Sequence, residues 1–209
     1  MKSRQENIIN DQMRVCYEQM IDGLIDREFG ICNEFLSSQE THILRMKLLK
    51  LYDNDQMHTA GVGRKFDYQK NAEIRGDVIS WLDPSSADEL ERALLDRVDG
   101  FITYLNQSCY TGIREYECHY AYYQVGSFYT RHLDQFRSDK GRKFSLVIYL
   151  NDNWTNEDEG ALVLYHPDGE KVIYPKGGRA VFFRSDAVEH EVRASPTRPR
   201  LSIAGWLRN

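Results

Sequence analysis

Glu115-Tyr116-Glu117-Cys118-His119-Tyr120-Ala121-Tyr122-Tyr123 is where the chain changes its period. Upstream, apolar residues recur every three or four positions. Here Tyr116, Cys118, Tyr120 and Tyr122 alternate with Glu115, Glu117, His119 and Ala121, the period of a strand whose two faces differ. By that alternation His119 faces away from the tyrosines and reads as a surface residue. After Gly126 come further short apolar segments at 144–150, 161–165, 171–174, 180–183, 190–193 and 201–207, separated by Gly, Asp, Asn and Pro turns. Short, closely spaced strands with such punctuation predict a sandwich or jelly roll.

The half before that change reads as helical. From Ile8 to Ile25, the residues Ile9, Met13, Cys16, Tyr17, Met20 and Leu24 form one apolar helix face. The segment 29–36 is short and apolar, a strand or a turn onto the core. Ser37-Ser38-Gln39-Glu40 is a capping box opening a helix through Leu51, and Ser86-Ala87-Asp88-Glu89 is a second one, opening a helix through Leu105. Between them lie a polar loop over 55–72, with Gly61 and Gly63, and a strand over 75–82. Helices precede strands instead of alternating with them, so the fold class is α+β, an antiparallel sheet backed by an N-terminal helical layer. The 209 residues, 41% of them hydrophobic and 28% charged, fit a single domain: residues 1–110 mainly helical support, 111–209 the strand-rich core.

The net charge of -5, without a long Lys/Arg run, disfavours nucleic acid as a partner. No stretch is apolar enough to cross a bilayer, and the first residues lead into no signal-peptide core. Cys16, Cys32, Cys109 and Cys118 have no C-x-x-C spacing and read as reduced thiols of a cytoplasmic protein.

One stretch carries chemistry. In Tyr129-Thr130-Arg131-His132-Leu133-Asp134, His132 and Asp134 stand at i and i+2, on one face of an extended strand. His190 follows far downstream, and Arg200 lies ten residues beyond it, across a Pro-rich turn. Two His and one carboxylate are the facial triad of non-haem Fe(II) oxygenases. On residue type alone, His190 reads as a core or turn histidine, Arg193, Arg198 and Arg208 compete with Arg200, and Arg75 with Asp77 as a structural ion pair. His42, His58 and His166 have no ligand spacing.

Set in order along the chain, Arg75-Gly76-Asp77, Trp81, Tyr129-x-Arg131-His132-x-Asp134, Ile148-Tyr149-Leu150-Asn151, Trp154, Gly160-Ala161-Leu162, Phe182-Phe183-x-Ser185-Asp186, His190-Glu191-Val192, Arg200 and Trp206 resemble the 2-oxoglutarate/Fe(II) dioxygenase superfamily. The closer resemblance is to its prolyl-hydroxylase-domain branch, the HIF prolyl hydroxylase-like enzymes with their bacterial members. It covers roughly residues 74–206 and leaves 1–28 and 53–72 unmatched. The resemblance implies a double-stranded β-helix (a cupin-like jelly roll), iron ligands His132, Asp134 and His190, and Arg200 gripping the distal carboxylate of 2-oxoglutarate, helped by Tyr149. It implies Tyr122 in the co-substrate pocket, Arg75, Asp77, Arg142 and Trp206 at the substrate entrance, and Ala204 where many relatives have a hydroxyl. The cofactors it implies are Fe(II), 2-oxoglutarate and O2, with ascorbate as reductant. The reaction it implies is 4-hydroxylation of a prolyl residue in a protein substrate, releasing succinate and CO2. Hydroxylation of a free amino acid or small molecule, base demethylation and a non-catalytic metal-binding jelly roll are the alternatives, and the oligomeric state stays open. On this reading Arg75, Asp77 and Arg142 are exposed groups that bond the peptide main chain, and the 55–72 loop is a flap.

Overall fold

A computed structural model describes residues 11–61, 74–135 and 141–209. Three helices, α1 (Asp11–Arg27), α2 (Ser38–Asp53) and α3 (Glu89–Cys109), cover one face of a large antiparallel sheet. That sheet has the order β1-β9-β6-β11-β4-β3-β2, from Phe29–Cys32 (β1), Ala180–Arg184 (β9), Arg142–Tyr149 (β6), Arg200–Arg208 (β11), Glu115–Tyr123 (β4), Asp77–Trp81 (β3) and His58–Thr59 (β2). A smaller sheet, β5-β10-β7-β8, is built from Tyr129–His132 (β5), Glu189–Val192 (β10), Leu162–His166 (β7) and Gly169–Ile173 (β8). Period-2 strands with two covered faces produce two apolar layers, and both are present. Cys118 and Tyr120 of β4, Leu146 and Ile148 of β6, and Leu201, Ile203 and Leu207 of β11 pack under the helices. Ala121, Tyr123, Tyr149, Val181 and Phe183 face the other way, onto Leu162, Leu164 and Val192 of the small sheet. This is the jelly roll with its helical backing.

The Ser37 capping box is formed as expected: Ser37 accepts from the Glu40 amide and Glu40 accepts from the Ser37 amide. The second helix start is shifted. Asp88, not Ser86, is the N-cap of α3, its carboxylate accepting from the amides of Leu90 and Glu91. A carboxylate there meets both the orphan amides and the positive end of the helix dipole, and the Ser86 hydroxyl donates to Glu91 instead. The expectation of four free thiols is also overturned. Cys16 of α1 and Cys32 of β1 form a disulfide, while Cys109 and Cys118 are free. No C-x-x-C motif announces this pair because docking makes it. Gly30 lets α1 lie against β1, since a Cβ there would run into the backbone of Met20. Most of the 55–72 flap, including Gly63, lies outside the described residues; its start, at His58–Thr59, is a short edge strand.

Candidate metal and co-substrate site

The two sheets enclose a cavity, and β5 and β10 carry its metal-ligating side chains. His132 and His190 are directly opposed in the β5–β10 register, so the antiparallel pairing brings the imidazoles together although 58 residues separate them. Asp134 lies just past the end of β5, in a bend instead of on the strand. Its Oδ1 is 3.4 Å from His132 Nε2, and its Oδ2 is 3.5 Å from His190 Nε2. Among the described residues this trio groups its ligand atoms within 4.8 Å of one another.

The far sides of the rings fix their hydrogens. His132 Nδ1 lies 2.7 Å from the Thr130 carbonyl and His190 Nδ1 lies 3.1 Å from that of Val188. A carbonyl only accepts, so each Nδ1 donates, which in a neutral ring puts the lone pair on Nε2, the nitrogen nearer Asp134. Burial pushes the His190 imidazole down to about 4, against the pull of Asp134, so it is neutral at physiological pH. Burial alone would raise the Asp134 carboxyl, but the two imidazoles and the Ser145 hydroxyl hold it well below the usual carboxylate range. A neutral His190 beside an ionised Asp134 is a pair of protonation states that a divalent cation requires. Ser145 donates to Asp134 Oδ2 at 2.6 Å and is itself bonded to Ser185 at 2.8 Å, both hydroxyls being buried.

Arg200 opens β11 and is buried. Asn151 pins that strand start, accepting from the Leu201 amide and donating to its carbonyl. The guanidinium lies 5.1 Å from the Tyr123 ring and 5.0 Å from the Tyr149 ring. Nη1 donates to Ser202 Oγ at 3.3 Å, Arg200 Nε has no partner among the described residues, and the Tyr149 hydroxyl faces the guanidinium without a well-formed hydrogen bond. A buried cation beside two unsatisfied donors fits a carboxylate that accepts from both. The hydroxyl next to Arg200 belongs to Ser202; Ala204 contributes a methyl group to the cavity wall.

Four expected positions need correction. Tyr122 is on the helix side of β4, stacked on Tyr52 at 3.8 Å, and it is Tyr123 that faces the cavity. His119 is not at the surface; it is 2% exposed and lines the same cavity. One cause accounts for both: the odd-numbered face of β4 turns into the roll, not to solvent. Arg75 and Asp77 are not exposed peptide-binding groups either. They form a bidentate pair at 2.6 Å in the cavity wall, with Asp77 fully buried and the guanidinium 4.4 Å over the Tyr129 ring. Arg142 is paired with Glu117 at 3.0 Å and lies 3.5 Å over the ring of Trp206, which lines the cavity. Ser145, Ser202 and Tyr123 had no assigned role in the sequence. Ser145 left a trace, as a lone hydroxyl in the apolar run Phe144-x-Leu146-x-Ile148.

A jelly roll that carries a His/Asp/His cluster on one sheet and a carboxylate-seeking arginine on the other defines the class of the non-haem Fe(II) oxygenases. Comparison with known proteins agrees. Residues 118–208 match the 2OG-Fe(II) oxygenase superfamily. A solved prolyl-4-hydroxylase of Pseudomonas putida is 33% identical, with a TM-score of 0.82 over 92% of this chain and 98% of that one. A prolyl hydroxylase of Trichoplax adhaerens, solved with a peptide fragment of a hypoxia inducible factor oxygen degradation domain, is 27% identical, with a TM-score of 0.83 over 94% of this chain and 90% of that one. Human Egl nine homolog 1 is 30% identical over 201 residues, covering 85% of this chain and 43% of that protein. The chain thus spans about half the length of the first curated relatives it matches. It belongs to the 2OG-Fe(II) oxygenase superfamily, in its prolyl-hydroxylase-like branch.

Proposed function

We propose that the chain is one 2-oxoglutarate- and Fe(II)-dependent dioxygenase domain that hydroxylates a prolyl residue, at its 4-position, in a protein substrate, releasing succinate and CO2. The observation that carries the co-substrate is Arg200, a buried guanidinium with unsatisfied donors around it, across the cavity from the His/Asp/His cluster. His132, Asp134 and His190 are the residues that would hold iron, through two Nε2 lone pairs and one anionic oxygen. Arg200 would hold the distal carboxylate of 2-oxoglutarate, with the Tyr149 hydroxyl donating to the same group and Ser202 steadying the guanidinium. The bound metal, with 2-oxoglutarate and O2, supplies the oxidising chemistry. The protein positions these groups, and the layer around Tyr123, Tyr149 and Leu162 keeps water away from them.

A prolyl target is supported by the names of two solved relatives, prolyl hydroxylases that share the fold at 33% and 27% identity, one of them with a peptide bound. Trp206 remains a substrate-side residue in this reading. Arg142 acts by holding its indole, and the Arg75–Asp77 pair by stiffening the wall. Ascorbate is proposed as the reductant and the cytoplasm as the compartment. No helix among the described residues is long and apolar enough to cross a membrane. The Cys16–Cys32 bond weighs against that compartment, because reducing ones keep thiols free.

Anaerobic addition of Fe(II) and then 2-oxoglutarate should produce a weak visible charge-transfer band. With O2 and a proteome extract, peptides should gain one oxygen on proline, with stoichiometric succinate. A binding module would give neither band nor succinate. Hydroxylation of free proline alone would move the enzyme to the small-molecule class.

A further inference from the structure

His119 lines the cavity but belongs to neither the metal cluster nor the Arg200 end. It lies on β4 between Trp81 of β3 and Ala204 of β11, its register partners on either side. Its ring is 5.0 Å from that of Trp81 and 5.3 Å from that of Trp206. Trp81 is half exposed, so this is the end of the cavity that reaches the surface. Ala204, the register partner of His119, presents only a methyl group to the cavity beside the imidazole.

Burial holds that imidazole neutral, its pKa pushed down to about 3, with the Arg75 and Arg142 charges acting in the same sense. A neutral ring owns one N–H and one lone pair. Nδ1 is shut away with no hydrogen-bond partner among the described residues. A sealed lone pair costs less than a sealed, unsatisfied N–H, which native interiors rarely tolerate. The hydrogen therefore sits on Nε2, the nitrogen left to meet a guest.

The register also identifies the guest. Arg200 pairs with Tyr123, and His119 is four residues further along the same ladder, about 13 Å away by strand rise. A short diacid anchored at Arg200 and the metal does not extend that far, so His119 meets the other substrate. A prolyl nitrogen inside a peptide has no hydrogen to give. Main-chain carbonyls, by contrast, accept in every sequence.

We propose that His119 is a positioning residue for the polypeptide substrate, donating a hydrogen bond from Nε2 to a main-chain carbonyl next to the target proline, between Trp81 and Trp206. This rests on the prolyl-hydroxylase reading above. The test uses a pooled library of short synthetic peptides, each with one central proline, with Fe(II), 2-oxoglutarate and O2. Half-saturating concentrations of both peptide and 2-oxoglutarate are measured for wild type, His119→Phe and His119→Gln. One neutral hydrogen bond corresponds to about tenfold in binding. His119→Phe should raise the peptide value relative to the 2-oxoglutarate value by about tenfold, with a smaller effect on kcat. His119→Gln, which restores a donor at similar reach, should return that ratio most of the way to wild type. His119→Met, apolar and adaptable, replaces the Phe variant if that one does not fold. An unchanged ratio in the apolar variant, or equal impairment of the apolar and Gln variants, overturns the proposal and leaves His119 as packing. If wild type consumes 2-oxoglutarate but hydroxylates no peptidyl proline, the substrate reading fails first and takes this proposal with it.

Discussion

Arg200 carries a full charge into the interior, where its surroundings are two tyrosine rings and one serine hydroxyl. Removing one partner of a buried, hydrogen-bonded charge pair costs about 3–5 kcal/mol. Arg200→Ala should therefore weaken 2-oxoglutarate binding by about two to four orders of magnitude in anaerobic calorimetry. Arg198 is the control: its guanidinium donates to the Asp152 carbonyl and lies 4.7 Å over Trp154, away from the cavity. Affinity lost in Arg198→Ala and kept in Arg200→Ala would assign the role to the other arginine. Ser145 acts one step back from the metal, orienting Asp134 through Oδ2. Loss of such an outer partner typically costs about 10- to 100-fold in metal affinity. A chelator competition with Ser145→Ala should show that loss, and unchanged affinity would mean that the imidazoles alone set the carboxylate. The proposed ligands are legible in the sequence only through the family resemblance, since by residue type alone His190 reads as a core or turn histidine; the β5–β10 register is what brings it opposite His132. Ser145 was not legible, since its role depends on a contact across two strands, Ser145 on β6 reaching a carboxylate past β5.

At the scale of the element, the alternation in β4 was readable, but its environment was not. The period shows that His119, Ala121 and Tyr123 share a face. It does not show that both faces are covered, helices on one and the small sheet on the other. Read with one solvated face, the alternation sends His119 to the surface, while Tyr122 enters through the family resemblance, one position away from the Tyr123 that lines the cavity. The pairing Arg200↔Tyr123 removes the ambiguity once the strands are paired. The first helix presents the same problem. Its apolar face was evident, yet the bond from Cys16 to Cys32 requires knowing that α1 lies on β1. The bond closes a loop with a sequence separation of 16, and a loop of that size is worth about 3 kcal/mol by restricting the unfolded chain. The double variant Cys16→Ser/Cys32→Ser should then melt about 6–12 °C lower, given about 2–4 °C per kcal/mol at this chain length. Wild type in strong reductant should follow it. A melting temperature indifferent to both would show that the two thiols are free in solution.

Taken as a whole, the molecule keeps a pair of neutral imidazoles, His119 and His190, inside a roll that also buries the Arg75–Asp77 pair, Asp134 and Arg200, and that has a consequence for its acid stability. His119 has an ordinary value of 6.5 and a folded value of about 3. A folded-state value below the unfolded one means that the unfolded chain takes up a proton that the native protein refuses. Stability from this group is therefore fully present above about pH 6.5 and is lost as the pH falls toward 3. By pH 5 the loss amounts to about 2 kcal/mol. His190 is shifted in the same direction, so the metal-free protein should lose stability well before its carboxylates protonate. Denaturant melts of the metal-free protein between pH 7 and pH 4.5 should show this decline. His119→Phe, which has no proton to take up in either state, should flatten the slope by the share that His119 contributes. Parallel slopes for wild type and His119→Phe would show that the imidazole is protonated in the folded state, and hence that it reaches water. That outcome would also put a charged donor, in place of a neutral one, at the mouth of the cavity.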